Sequence, residues 1–479
     1  MTIGQILIVA AAALFWGLVM RERGRLYFLL IASVLVIFWL QPALPLRGFD
    51  FWLPVATLII IVFSWYITAP EETRRTRKNW IVPAIVFGVV LLLSLSRYLP
   101  IDSILTASRP PQTEILLLVL VVSGLFLFLT TRLTRFNTAL LVVSIIGLII
   151  VFLAIKIPAL TYWVSYGIRS LTNQSLVQAK VTDLRWLGFS YIAFRIIHTL
   201  RDRQMGRLPA VDLAEYMTYV IFFPAFTAGP IDRIERFIKD LRQPATALEN
   251  AELLIAGQRF MVGLFKKFVI ADALALIALN DTSALQVRTA GWTWVLLYAY
   301  TFQIYFDFSG YTDIAIGTSR LLGIKLPENF SAPYLKPNLT LFWNNWHMTL
   351  TQWFRAYFFN PTTRWLRTLR VWKNPLPMPM MILLTQIATM VLIGFWHGVT
   401  WNFTLWGLWH GLGLFIHNRW SDLTRVRATA WATTPLRQNL LSVSGVIVTF
   451  NFVALGWIFF ALSSPAASWN VFLKLLGIR

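Results

Sequence analysis

An all-α, polytopic membrane fold is predicted by three observations. The 479-residue chain is 57% hydrophobic and only 13% charged, about half the roughly 25% charged content of soluble domains. Apolar runs long enough to cross a bilayer recur along it. The loops between those runs alternate between basic and charge-poor.

The first six runs lie near 4–20, 26–43, 51–69, 80–97, 114–131 and 138–155. Basic loops follow the first, third and fifth: Arg21–Arg25; then Arg74, Arg75, Arg77 and Lys78; then Arg132 and Arg135. The intervening loops, Leu44–Asp50 and Pro100–Glu114, are poor in Lys and Arg, so the rule that basic loops stay cytoplasmic puts the N-terminus outside. Beyond residue 156 the pattern turns irregular. Trp186–Leu200 is apolar yet holds Arg195 and His198. Tyr216–Pro230 lies between two basic loops, so a re-entrant hairpin is expected, broken at Pro224, Gly229 and Pro230. Further runs follow at 252–279, 292–322, 381–399, 401–417 and 441–463; Lys266 and Lys267 interrupt the first, which suggests an interfacial position for it. The count is roughly eleven spans plus one or two re-entrant or interfacial segments. Residues 1–156 form a regular N-terminal set and 157–479 a polar-punctuated region, one membrane domain without a linker or internal repeat.

The chain has no cysteine, which removes disulfides, thiolate nucleophiles and Cys-based metal sites together. The net charge of +21 sits in short loops between apolar runs, which points to anionic lipid headgroups and away from nucleic acid. Ile3–Met20 begins without a basic n-region and reads as a span, not a cleavable signal.

Two of the chain's five histidines carry the sharpest signal. His397 closes an apolar, tryptophan-rich stretch in Trp396-His-Gly398, and His347 sits in Phe342-Trp-Asn-Asn-Trp-His-Met-Thr-Leu350. An imidazole in such a setting loses water and needs a partner or a function. Interhelical hydrogen bonding is the plainer role; with Asn344, Asn345 and acids nearby, a neutral ring can instead take a proton from an attacking hydroxyl. A second Trp-His-Gly places His410 at Trp409–Gly411. Asp307 and Asp313 lie in a run otherwise fit for lipid, so they line a cavity, pair with cations or sit near a helix end. Arg355 follows in Trp353-Phe-Arg-Ala-Tyr357, and Arg364, Arg367 and Arg370 recur at three-residue spacing. That stripe suits lipid phosphates or an anionic donor such as an acidic carrier protein. No G-x-S-x-G, H-E-x-x-H, Walker A or G-x-G-x-x-G motif is present. His410 and His417 stand about 10 Å apart along a helix, too far to share an ion, so no metal is expected.

Five stretches then resemble the membrane-bound O-acyltransferase superfamily, in particular its teichoic acid D-alanylation and alginate O-acetylation branches. They are Leu187-Gly-Phe-Ser-Tyr-Ile-Ala-Phe-Arg195, Phe222-Phe-Pro-Ala-Phe-Thr-Ala-Gly-Pro-Ile-Asp-Arg233, Gly323-Ile-Lys-Leu-Pro-Glu-Asn-Phe330, Phe342–Leu350 and Gly394-Phe-Trp-His-Gly398. The resemblance implies a helical bowl around a thin partition. It makes His397 the essential intramembrane histidine, His347 the second characteristic one and His410 a weaker match. Asn344, Asn345, Asp307, Asp313, Arg355 and His410 are the expected binding residues. A thioester donor, phosphopantetheinyl acyl carrier protein or acyl-CoA, would serve as co-substrate with no tightly bound cofactor. Membrane lipids, the carrier protein and an extracytoplasmic accessory protein are the expected partners. Two positions depart from the family: Asn345 stands where Arg is usual, and Ala356 follows Arg355 where Asp is usual. The expected function is transfer of D-alanyl or acetyl to a hydroxyl of a cell-envelope polymer or relay protein. The alternatives are a transporter coupled through Asp307 and Asp313, or a non-catalytic scaffold.

Overall fold

The computed structural model describes residues 1–19, 24–99, 105–133, 138–243, 249–371 and 374–478. Among them the only β structure is a two-residue antiparallel ladder, β1 (Arg370–Val371) with β2 (Asn374–Pro375). The chain divides into two compact units, residues 1–257 with 315–326, and residues 258–314 with 327–479.

The first unit opens with six apolar helices, α1 (Ile3–Val19), α2 (Arg25–Leu40), α3 (Phe49–Thr68), α4 (Arg77–Leu95), α5 (Thr113–Leu133) and α6 (Thr138–Lys156). They fall on the six expected runs. Their surroundings differ: 61% of the most apolar stretch of α3 is buried, against 11% for α6, whose mean hydropathy is 3.0. A helix that apolar and that exposed has lipid for a neighbour. Of the loop charges used to orient the chain, Arg21, Arg23 and Arg135 lie outside the described residues, as do 100–104 and the side chain of Arg132.

Next come α7 (Pro158–Leu171), α8 (Phe189–Gln204), α9 (Leu213–Val220) and α10 (Ile234–Arg242). Asp212 and Glu215 form a reciprocal capping box that starts α9. The helix stops at Val220, and the chain runs without regular structure to Arg233 through the expected breakers Pro224, Gly229 and Pro230. Backbone carbonyls freed by that break need donors. The buried Arg195 guanidinium supplies them, donating to the carbonyls of Tyr219 (3.2 Å), Val220 (2.8 Å), Ala225 (3.1 Å) and Pro230 (3.4 Å).

In the rest of the chain, α11 (Asn250–Phe265) passes into a π-helical turn at Lys266–Ala271, and α12 spans Ala290–Leu321. Short helices α13 (Leu339–Asn345), α14 (Met348–Phe354) and α15 (Asn360–Thr368) precede three long ones, α16 (Met378–His397), α17 (Trp401–Trp431) and α18 (Pro435–Ala461), and a final α19 (Pro465–Leu475). The turn between α16 and α17 is tight because Thr400 caps α17, its hydroxyl accepting from the Phe403 N–H at 3.4 Å. The two helices then approach to backbone contact: a Cβ at Gly407 would lie 2.6 Å from Val391 Cα. Helix α17 runs well past the expected apolar limit at residue 417. Arg419, Asp422, Arg425 and Arg427 end its hydropathy without ending the helix, since no Pro intervenes before Pro435.

Five described helices are long and apolar enough to span: Phe49–Thr68, Arg77–Tyr98, Thr138–Lys156, Met378–His397 and Pro435–Ala461. Lys266 and Lys267, the residues that suggest an interfacial position for their run, each pair with an acid of α12, as set out below. One expectation is corrected. Arg370 is not on the stripe of Arg364 and Arg367, because α15 ends at Thr368 and the extended Leu369 (φ −72°, ψ 142°) leads into β1. The Arg370 side chain lies outside the described residues.

Candidate active site

His397 is the last residue of α16, and His347 sits in the turn between α13 and α14. The second unit brings both to one small chamber of about 40 Å³. That is room for a few water-sized groups, since one water needs roughly 10–15 Å³ by the same measure. Its walls are aromatic, with Trp343, Trp346, Trp406 and Trp457 among the lining residues. His397 meets Phe460 edge to face with ring centroids 4.7 Å apart, and Trp406 at 5.9 Å. The indole N–H groups of Trp343 and Trp406 are buried and meet no protein acceptor, so the chamber walls contain two uncommitted donors.

His347 is 2% exposed and held from several sides. Its ring stands edge to face on Phe308 at 4.7 Å and on Trp396 at 5.8 Å. Its Nδ1 lies 3.1 Å from Oδ1 of Asn329, a fully buried residue. The same Oδ1 accepts from the Thr349 N–H (3.2 Å) and hydroxyl (2.9 Å), while the Asn329 carbonyl accepts from the Met348 N–H at 2.9 Å. The His347 backbone has φ +42° and ψ 53°, a left-handed conformation costly for a residue with a Cβ and concentrated at functional sites.

A second pocket of about 170 Å³ shares Trp343 and Ile393 with the chamber and carries Asn344, Arg355, Gln386 and Thr389 on its walls. Arg355 donates to Asn344 Oδ1 at 2.6 Å, so a neutral amide partners this guanidinium. Asn345 turns away, donating to the Leu341 carbonyl at 2.8 Å, and lines neither cavity.

The remaining sequence candidates are not in the chamber wall. His410 is fully buried behind it, edge to face with Trp343 at 5.2 Å and with Trp406 at 5.0 Å. Asp313 pairs with Arg259 (2.8 Å) and Lys266 (2.7 Å), and Asp307 pairs with Lys267. Both acids therefore tie α12 to the end of α11 and its π turn, the cation-paired arrangement that lets a carboxylate sit beside apolar surface. Among the described residues, one cluster of metal-ligating type exists, His198, Asp202 and Glu235 in the first unit, with ligand atoms within 4.8 Å. It contains neither chamber histidine.

Sequence reasoning missed Asn329, Trp343 and Trp406 as site residues. Asn329 lies within the quoted Pro-Glu-Asn-Phe stretch, but no local spacing ties it to a ring eighteen positions later.

Apolar helices and an aromatic-walled chamber with two imidazoles define an integral-membrane enzyme suited to proton-coupled group transfer. The sequence profile described as MBOAT, membrane-bound O-acyltransferase family, matches residues 116–464, and the chain belongs to that family. A teichoic acid D-alanyltransferase of Streptococcus thermophilus is 32% identical over 317 residues, covering 62% of this chain and 75% of the relative. A probable alginate O-acetylase AlgI of Azotobacter vinelandii is 34% identical over 293 residues, 60% of this chain and 52% of the relative. A peptidoglycan O-acetyltransferase of Helicobacter pylori is 34% identical over 270 residues, 55% and 47% respectively. The chain is a membrane acyltransferase.

Proposed function

We propose that this acyltransferase moves D-alanyl or acetyl from a cytosolic thioester to a hydroxyl of an extracytoplasmic cell-envelope polymer or relay protein. The thioester is carried by a phosphopantetheinyl acyl carrier protein or by coenzyme A. The observation that carries the reading is the single chamber lined by both His347 and His397. His397 acts as general base, taking the hydroxyl proton as its oxygen attacks the thioester carbonyl. The C–S bond then breaks, and the imidazolium returns the proton to the leaving thiolate. His347 orients the reacting groups, and the uncommitted indole donors of Trp343 and Trp406 are available to the carbonyl oxygen as charge develops there.

Asn344 and Arg355, in the pocket that shares Trp343 with the chamber, receive the polar part of the donor. Asn345, Asp307, Asp313 and His410 act less directly, by shaping the turn, fixing helices and backing the tryptophans. In this reading the N-terminus lies outside, and roughly eleven spans form the bowl that the family resemblance implies. Residues 1–156 frame that bowl and 157–479 carry the chemistry. The partners are membrane lipids, a carrier protein and an extracytoplasmic accessory protein. The relatives' names support both acyl groups.

The test is reconstitution in vesicles with labelled D-alanyl and acetyl thioesters, on carrier protein and on coenzyme A. Label should leave one donor for a hydroxyl acceptor, and His397→Ala should cut that transfer by about 10²–10⁴-fold. Failure of every thioester with folded protein, or near-normal turnover by the variant, overturns the reading.

A further inference from the structure

Asn329 carries an amide whose orientation can be read from its partners. The Thr349 backbone N–H can only donate, so the atom it meets at 3.2 Å must be the amide oxygen. That oxygen has no hydrogen to give, so His347 Nδ1, 3.1 Å away, must carry one and donate it. A neutral imidazole protonated at Nδ1 has its lone pair at Nε2. The His347 Nε2 is buried and meets no protein partner, and the residue lines the chamber.

We propose that Asn329 is a positioning residue for acyl transfer, holding His347 in the Nδ1–H form so that Nε2 acts only as a hydrogen-bond acceptor. This rests on the acyl-transfer reading above and refines the part His347 plays in it. A ring so held cannot donate to the thioester carbonyl while neutral. Its Nε2 can instead accept a hydrogen from the bound substrates, an amide or amine N–H or a hydroxyl.

A second observation points the same way. The strained His347 backbone is laced to the Asn329 segment on both sides, by Met348 N–H to the Asn329 carbonyl at 2.9 Å and Ser331 N–H to the Asn345 carbonyl at 3.1 Å. Side chain and main chain of one residue thus fix both the place and the tautomer of the ring, the work outer partners do for histidine ligands in metal sites.

Histidine ¹⁵N spectra test the assignment without any substrate, the His347 signals being identified by their loss in His347→Gln. Wild type should show Nδ1 protonated and Nε2 bare. Asn329→Ala should give a mixture of tautomers and lower kcat by about 10–100-fold, the range seen when an outer partner of a histidine is removed. Asn329→Asp keeps every acceptor, so it should fold and hold the Nδ1–H form. Its added negative charge favours the imidazolium, so the acid limb of the kcat/KM profile should move to higher pH. Thr349→Val, which removes one donor to Asn329 and leaves the ring bond, should keep tautomer and profile.

A wild-type ring protonated at Nε2 overturns the proposal. So does an Asn329→Asp enzyme whose pH profile is unmoved, because a merely structural asparagine would give that result. If the spectra show the lock while wild type transfers no acyl group from any thioester, the positioning role falls together with the acyl-transfer reading, and only the tautomer remains. If transfer occurs and the lock is absent, the positioning role alone falls.

Discussion

Lys266 in the π turn and Asp313 on α12 meet at 2.7 Å, and Arg259 reaches the other oxygen of the same carboxylate at 2.8 Å. One buried acid therefore answers two cations from a neighbouring helix. Removing it leaves Lys266 without a charge partner and Arg259 with Glu328 alone, whereas removing Lys266 leaves the Arg259 pair with Asp313 standing. Asp313→Asn should lower stability by about 1.5–3 kcal/mol, the worth of a hydrogen bond to a charged group, and Lys266→Met should cost less. Thermal melts in detergent check the order. If Asp313 instead took part in chemistry, turnover per folded molecule would collapse while the melting temperature held.

The contact between α16 and α17 gives a steric prediction. A Cβ at Gly394 would lie 2.3 Å from the Phe403 carbonyl oxygen, one turn before His397. Gly394→Ala must push the helices apart at the end that carries the imidazole, and overpacking of this kind costs about 1–3 kcal/mol. Turnover should fall further than stability explains, because the displaced residue lies beside the chamber. Gly124→Ala on α5 is the control. Its Cβ would enter open space, so melting should be unchanged or slightly raised.

Outside the spanning helices, Asp183 links stability to pH. It lies in the loop before α8 and accepts from Ser165 Oγ at 2.7 Å and Arg169 Nη2 at 2.8 Å. Burial opposes its charge, but the Ser165, Arg169 and Lys180 hydrogen bonds and the Arg169 charge outweigh that and hold its pKa below the ordinary 3.8. A depressed carboxyl contributes stability that is complete above the unfolded-state value and is lost as pH falls through the folded one. The melting temperature should therefore begin to drop below about pH 4. Asp183→Asn should remove that component of the acid dependence. At neutral pH it should cost about 3–5 kcal/mol, because Arg169 is left buried and unpaired.

The helices were legible because lipid imposes a simple rule. A span must be apolar over its whole length, so the apolar helices α1 to α6 stand where hydropathy puts them, and α3, α4 and α6 are long and apolar enough to cross. The break after α9 was legible for a related reason, in Pro224, Gly229 and Pro230. Its remedy was not, since Arg195 gathers four carbonyls that no sequence spacing connects. His347 and His397 stood out as rings in apolar company, and they do share a chamber. Asn329 did not stand out, because its meaning depends on a return of the chain, and an asparagine in a loop reads as a turn residue. Nor could hydropathy name the partners of Lys266 and Lys267, which lie on α12. It also ended the apolar run of α17 at residue 417 although the helix continues to Trp431.

Arg364 and Arg367 remain together on α15, both exposed, after Arg370 is removed from their stripe. An acidic carrier protein and coenzyme A are both anionic, so a donor arriving at this helix would be steered by these charges, more strongly at low salt. Reversing both to Glu should raise the apparent donor KM and flatten its dependence on ionic strength, with kcat less affected. Headgroup anchoring predicts a different outcome: less inserted protein or a lower melting temperature, with the donor KM unchanged in what survives. Measuring KM against salt for wild type and the double variant separates the two. Equal slopes would return these arginines to lipid contact and move the search for donor docking to another basic surface.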